Sequence, residues 1–386
     1  MKAIHLQNAT IDLTEKLISI RRHLHQFPEL SYEEIETTKS IKNWLEKADI
    51  TIIDSNLKTG VIAEISGNKN GPVVALRADI DALPIHEETG LPYASQIPGK
   101  MHACGHDFHT SSIIGAAYLL KEKEASLNGT IRLIFQPAEE NGSGASKVIK
   151  AGHLQNVKAI FGMHNKPDLP VGTIGIKDGP LMAGVDRFEI EIKGVGTHAA
   201  VPDAGVDPIV ASSQIVLALQ TIVSRNVSSF HNAVVSVTNI HSGNTWNVIP
   251  EKATLEGTVR TFQAETRQRI PELMDRIIKG VAAALGVETK LHWYPGPPSV
   301  HNNTELTELS IGIAQQMGLQ VVSPKPSMAG EDFSFYQQEI PGSFVFMGTA
   351  GTQEWHHPAF TLDEKALPIS AQYFALLAEE AINKLP

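Results

Sequence analysis

The sequence predicts an α/β protein whose first domain is interrupted by a complete α+β domain of the ferredoxin-like kind. Three observations carry this. The 386 residues exceed what one ordinary core organises. Strand and helix patterns alternate on both flanks of the chain, as in a sheet with helices on its faces. Between the flanks, one stretch reads β-α-β-β-α-β, a full supersecondary unit of about a hundred residues.

The first flank opens with apolar residues at helical spacing over 11–24, broken at Phe27-Pro28, and a second helix is expected from about 32 to 47. β-rich runs follow at 60–65 and 73–77. The stretch 82–101, with its Pro and Gly, reads as a long irregular segment, a length more often functional than idle. Residues 107–123 read as a buried helix, Asn128-Gly129 as a turn, 130–135 as a strand, 145–151 as a helix and 159–164 as a strand.

In the central stretch, 187–193, 233–240, 253–261 and 287–293 read as strands and 208–225 and 265–285 as helices. The remainder from Thr304 holds too few elements for a core of its own. The expected division is therefore a discontinuous domain of residues 1–183 and 296–386, with 184–295 inserted.

Composition narrows the function. The chain is 42% hydrophobic and 19% charged, with its glycines and prolines scattered, as in a folded globular protein. A formal net charge of -10 argues against a nucleic-acid partner, which needs a basic face. No apolar run reaches transmembrane length, and residues 1–20 carry Asp12 and Glu15 among spaced apolar positions instead of a secretory apolar core. A cytoplasmic protein without a membrane partner is expected. The single cysteine, Cys104, excludes an intrachain disulfide.

That thiol lies in His102-Ala-Cys-Gly-His106-Asp107, just before a helix, where Cys104 and His106 can reach a common ion. Glu139-Glu140 follows the 130–135 strand, and His164 ends the 159–164 strand. Taken singly, a cysteine or histidine is more often packed or solvated than a ligand, and a glutamate pair in a loop is usually surface. Together they are the thiolate, imidazole and carboxylate types that hold zinc and other first-row divalent ions. Adjacent glutamates also allow one to bind a metal while the other takes a proton from water.

The motifs Leu24-His25-Gln26-Phe27-Pro28-Glu29-Leu30-Ser31, Arg77-Ala78-Asp79-Ile80-Asp81-Ala82-Leu83-Pro84, His102-Ala103-Cys104-Gly105-His106-Asp107, Gln136-Pro137-Ala138-Glu139-Glu140, Gly162-Met163-His164, Gly330-Glu331-Asp332-Phe333 and His356-His357-Pro358-Ala359-Phe360 occur in this order along nearly the whole chain. The set resembles the M20 peptidase family in its amidohydrolase subgroup, which holds aminoacylases, hippurate hydrolases, N-acetyldiaminopimelate deacetylases and auxin-conjugate hydrolases.

The resemblance implies a metallopeptidase-type catalytic domain with an inserted lid and dimerisation domain. It implies two divalent metal ions per subunit, manganese or zinc first and nickel or cobalt next. Cys104 would bridge them, His106 and His164 would serve one, and Glu140 and His356 the other. His356 is preferred to His357 because the family pattern is His, a variable residue, then Pro. Glu139 matches the general base.

Where many relatives carry His-x-Asp, this chain has Asp79-Ile80-Asp81, and where they bridge their metals with Asp it has Cys104. Asp79 and Asp81 are accordingly expected to orient ligands. In the inserted domain, His198 in Gly194-Val195-Gly196-Thr197-His198 matches a histidine that stabilises the oxyanion in the partner subunit's site, which implies a homodimer. Asn247 and Arg260 match positions that bind polar groups of the substrate; Arg260 suits an α-carboxylate, although an alternating strand can also turn an arginine to solvent.

The expected reaction is hydrolysis of the amide bond of an N-acyl (N-acetyl or N-aroyl) amino acid to a carboxylic acid and a free amino acid. Two rivals remain: a dipeptidase or carboxypeptidase using the same centre, and a catalytically silent metal- or ligand-binding homologue.

Overall fold

The computed structural model describes residues 2–68 and 70–385, with side chains from residue 12 onward. The start of the 1–20 stretch read above lies outside the described residues.

The elements run α1 (Lys2–Gln26), α2 (Ile35–Glu46), β1 (Thr51–Ile53), β2 (Val61–Ser66), β3 (Val73–Asp79), α3 (His106–Lys121), β4 (Thr130–Gln136), α4 (Gly144–Lys150) and β5 (Val157–Lys166). Then come β6 (Thr173–Gly175), β7 (Gly179–Met182), β8 (Gly184–Lys193), β9 (Thr197–His198), α5 (Pro208–Thr221), β10 (Ala233–Ser242), β11 (Val248–Ile249), β12 (Lys252–Thr261), α6 (Ala264–Leu285) and β13 (Glu288–Pro295). The chain closes with β14 (Val300–Asn302), α7 (Thr304–Gln316), β15 (Gln320–Val322), α8 (Phe333–Glu339), β16 (Gly342–Gly348) and α9 (Ala366–Lys384). Two compact units result: Met1–Leu181, His301–Lys325 and Asp332–Pro386 form the first, and Met182–Val300 with Pro326–Glu331 the second.

The first unit is a mixed sheet in the order β1-β2-β4-β3-β5-β16-β6-β15. Its centre, β4, β3, β5 and β16, is parallel, and parallel strands need both faces covered. Side-chain alternation supplies this. Val74, Leu76, Ala78, Ile131, Leu133, Phe135, Phe161 and Met163 join the core built with α1, α3 and α9. The intervening residues meet the other layer: Arg77 and Gln136 bond Asp332 just before α8, and a Cβ on Gly162 would lie 2.8 Å from Phe333.

The second unit is an antiparallel sheet, β10-β12-β8-β13. Phe188, Ile190 and Ile192 of β8 are buried with Ala211, Ile215 and Leu219 of α5 and Ile270, Met274 and Ile278 of α6. With the connection order β8-α5-β10-β12-α6-β13, this is the ferredoxin-like unit that the sequence predicts. The backbone N–H of Ala183 donates to Ser327 at 2.9 Å, tying the 326–331 segment to this unit.

Some boundaries differ from the sequence reading for local reasons. The second helix starts at Ile35 because Tyr32 takes the left-handed conformation (φ 66°) and the Glu29 carboxylate accepts from the N–H groups of Glu36 and Thr37, at 3.2 and 2.8 Å. The helix of 208–225 is α only to Thr221 and finishes as a π turn over Ile222–Asn226. Among the described residues no helix is long and apolar enough to cross a membrane.

Candidate metal centre

The parallel strands β4, β3 and β5 end side by side, and the chain at each end carries acids or histidine. β3 ends at Asp79, two residues before Asp81, β4 leads to Glu139 and Glu140, and His164 lies near the end of β5. The carboxyl ends of parallel strands are where open α/β sheets collect ligands. The turn into α3 adds Cys104 and His106, and the loop after β16 adds Trp355 and His356.

Three backbone conformations aim these groups. Gly105, between Cys104 and His106, has φ +85°, and a Cβ there would sit 2.4 Å from Asn165 Nδ2; only glycine fits. Ala138 (φ 54°) and His356 (φ 66°) are non-glycine residues in the left-handed region, at a cost on the order of 1 kcal/mol each. Ala138 is held by its N–H on Glu34 Oε1, 2.8 Å. The His356 N–H is held on the Ala103 carbonyl, 2.9 Å.

Ligand atoms of Cys104, His106 and His164 lie within 4.8 Å of one another, as do those of Cys104, Glu140 and His356. Cys104 belongs to both groups. Its Sγ is 3.3 Å from His164 Nε2, and Glu140 Oε1 is 3.8 Å from His106 Nε2 and 3.6 Å from His356 Nε2. His106 Nε2 and Glu140 Oε1 are buried without a hydrogen-bond partner, a costly arrangement unless a cation joins them. Burial, reinforced by the Glu140 charge, pushes the Cys104 thiol well up, and burial pushes Glu140 up to about 7. The sulfur, nitrogen and oxygen donors gathered here fit divalent first-row ions. His357 is exposed, accepts from the Ala359 N–H at 3.0 Å and stands outside these groups.

Asp81 organises the neighbours. It accepts from His106 Nδ1 (3.2 Å), which leaves Nε2 facing the centre, and from the N–H groups of Glu139 and Glu140, 3.1 Å each. Ser31 Oγ donates to it at 2.7 Å. Asp79 takes Arg77 at 2.8 Å and His109 Nδ1 at 2.6 Å. A carboxylate oxygen of Glu139 lies within 4.8 Å of ligand atoms of His106 and Glu140 and accepts from the Asp332 N–H at 3.3 Å.

The sequence reading gave no role to His109, Asn165, Trp355, Arg77, Gln136 or Asp332, all of which the fold draws in. His109 carries one available signal: it is one helical turn after His106 and so on the same face of α3.

The remaining sequence candidates lie on the second unit. His198 pairs with Val248 in the β9–β11 ladder, its Nδ1 accepting from the Ala200 N–H at 3.0 Å. Asn247 adjoins it, its carbonyl accepting from the Ala199 N–H at 3.1 Å. Arg260 on β12 is half-buried, and among the described residues no acid lies within ion-pair distance of it.

His102, beside the centre, is buried with neither ring nitrogen hydrogen-bonded. Burial pushes its pKa down to about 4. Between that value and the unfolded value near 6.5 the unfolded chain holds a proton that the native state refuses. The contribution of His102 is therefore fully present above about pH 6.5 and is lost as pH drops, by roughly 3 kcal/mol at pH 4. In urea melts of the metal-free protein across this range, wild type is expected to lose stability relative to His102→Gln as the pH falls. Parallel curves for the two chains would rule His102 out as the cause.

Known proteins match this chain over most of its length. Residues 75–380 match the model of peptidase family M20/M25/M40. The chain is 60% identical over 364 residues to an N-acetylcysteine deacetylase of Bacillus subtilis (strain 168), spanning 94% of this chain and 96% of that one. It is 40% identical over 379 residues to the IAA-amino acid hydrolase ILR1-like 5 of Arabidopsis thaliana, spanning 95% and 87%. The crystal structure of the Bacillus subtilis YXEP protein, a dinuclear metal binding peptidase from the M20 family, superposes with a TM-score of 0.89 at 55% identity, covering 97% of this chain and 99% of that one. Motif order, fold and the extent of these matches agree, and the chain belongs to peptidase family M20/M25/M40, in its amidohydrolase subgroup.

Proposed function

We propose that this protein is a cytoplasmic, homodimeric N-acyl-amino-acid amidohydrolase that works with two divalent metal ions, manganese or zinc ahead of nickel or cobalt. The observation that carries the reading is Cys104: one sulfur shared by two ligand groups, with Glu139 alongside. Cys104, His106 and His164 would hold one ion, and Cys104, Glu140 and His356 the other.

Bound there, the ions supply Lewis acidity that makes water a better acid and the amide carbonyl a better electrophile. Glu139, held by the Asp332 N–H, takes the proton of the attacking water and passes it to the departing nitrogen. Arg260, half-buried and with no acid within ion-pair distance among the described residues, pairs with the substrate α-carboxylate. Asn247 bonds the substrate's polar groups, and His198 of the partner subunit donates to the oxyanion, a contribution of roughly 3 kcal/mol for one well-placed donor. Residues 1–183 and 296–386 act as the catalytic domain and 184–295 as lid and dimerisation domain. The apolar side chains of Ile209, Val210 and Leu217 on α5, exposed on the second unit, support a second copy covering that helix.

The identity with an N-acetylcysteine deacetylase supports an acetyl group and makes N-acetyl-L-cysteine the first substrate to test. The test compares N-acetyl-L-cysteine, N-acetyl-L-methionine, N-benzoylglycine and a matched dipeptide, each with Mn, Zn, Co or Ni. At least one acyl amino acid is expected to turn over with kcat/KM ten or more times that of the dipeptide. A dipeptide preference would make the enzyme a peptidase, and no hydrolysis with any metal would leave a silent binding protein.

A further inference from the structure

We propose that Asn165 is the positioning residue of the metal centre, the side chain that holds three ligand-bearing segments in register. The inference rests on the metal-hydrolase reading above. Asn165 is fully buried and follows His164 directly. Its Nδ2 donates to the Cys104 carbonyl at 2.6 Å, and its Oδ1 accepts from Trp355 Nε1 at 3.3 Å. Its carbonyl accepts from His164 Nδ1 at 2.9 Å and from Trp355 Nε1 at 3.2 Å.

Each bond places a proposed ligand. The Nδ2 contact fixes the turn through Cys104 and Gly105, where the close approach leaves no room for a Cβ. The carbonyl takes the Nδ1 proton of His164, which leaves Nε2 as the nitrogen facing the Cys104 sulfur. Trp355 adjoins His356 and lies against the His164 ring, centroids 4.3 Å apart. The Asn165 amide thus joins its own strand to the Cys104 loop and to Trp355 of the His356 loop, while its main-chain carbonyl orients His164.

The amide is itself held. The Asn165 N–H donates to His109 Nε2 at 2.9 Å, and Nδ2 lies 3.1 Å from the same nitrogen. His109 therefore accepts at Nε2 and carries its proton on Nδ1, which Asp79 takes at 2.6 Å while also accepting from Arg77 at 2.8 Å. Arg77, Asp79, His109 and Asn165 form one buried polar chain that fixes which way the amide points. An aspartate at 165 would set an acceptor against two acceptors, the Cys104 carbonyl and His109 Nε2. Alanine would delete the side-chain contacts.

Asn165 meets the metal only through Cys104, His164 and His356, so the readout is coordination. Wild type, Asn165→Ala, Asn165→Asp and Trp355→Phe are stripped of metal and titrated with Co(II) against a competing chelator, and the sulfur-to-cobalt charge-transfer and visible bands are recorded. Both Asn165 variants are expected to lose roughly 10- to 100-fold in affinity, as supporting groups of metal ligands typically do, with shifted bands. Trp355→Phe removes the indole N–H and leaves a smaller aromatic ring beside His164, so a smaller loss in the same direction is expected. A change confined to folding would lower the metal-free melting temperature and leave the band positions of the loaded protein unchanged, which overturns the proposal. So does unchanged affinity with unchanged bands in the Asn165 variants, or in Trp355→Phe if those variants do not fold. Wild type that takes up no cobalt overturns the metal reading and this inference with it.

Discussion

Glu139→Gln is expected to load metal like the wild type and to lose turnover by roughly a hundred- to ten-thousand-fold, the range typical of a general base. Glutamine keeps the shape and an oxygen that accepts the Asp332 N–H, so the local fold is retained. The Glu139 main chain is held by its own N–H on Asp81, which the substitution leaves in place. What is lost is the basic site. The drop is therefore expected in kcat, with KM changed little, because substrate recognition belongs to other groups. A variant that retains near-normal kcat with metal bound would remove Glu139 from the mechanism.

Cys104→Ala is expected to be as damaging by a different route. The thiol is common to both ligand groups, so its loss weakens both positions at once. The effect on metal affinity should exceed the roughly 10- to 100-fold that losing a supporting outer group costs. Cys104 is buried beside Glu140, and burial pushes its thiol well up, so in the metal-free protein alanine removes a small neutral group and no ion pair. The metal-free fold is expected to melt at an unchanged or slightly lower temperature while activity falls to background. His106→Ala or His356→Ala alone would each deplete a single position.

The parts of this account legible in the sequence are those whose signal is local. Helix α6 and the long strands β8 and β12 show their periods within their own residues, α3 and the central strands of the first unit show as apolar runs, and the order β-α-β-β-α-β follows from such local signals. The strands β1, β6 and β15 span three residues each and β9 and β11 two, too few for alternation to register. The start of α2 depends on Glu29, which reaches N–H groups seven and eight residues on.

The same distinction holds at the centre. Cys104, His106, Glu139, Glu140, His164 and His356 stand out because thiol, imidazole and carboxylate are the groups that ligate metals or move protons. Asn165, Trp355 and Asp332 carry no such signature. Their parts come from partners far away in the chain: Asn165 bonds His109 and Trp355, 56 and 190 positions distant, and Asp332 bonds Arg77 across 255. Nothing in one sequence marks an amide or an indole as a support for something remote.

The central claim is that one sulfur organises two metal positions on which amide hydrolysis depends. Metal content by equilibrium dialysis, measured beside hydrolysis of N-acetyl-L-cysteine for wild type, Glu139→Gln and Cys104→Ala, tests it most directly. Two ions per subunit with turnover are expected for the wild type, two ions without turnover for Glu139→Gln, and loss of both ions and of turnover for Cys104→Ala. A Cys104→Ala protein that still binds two ions and cleaves the substrate at the wild-type rate would contradict it.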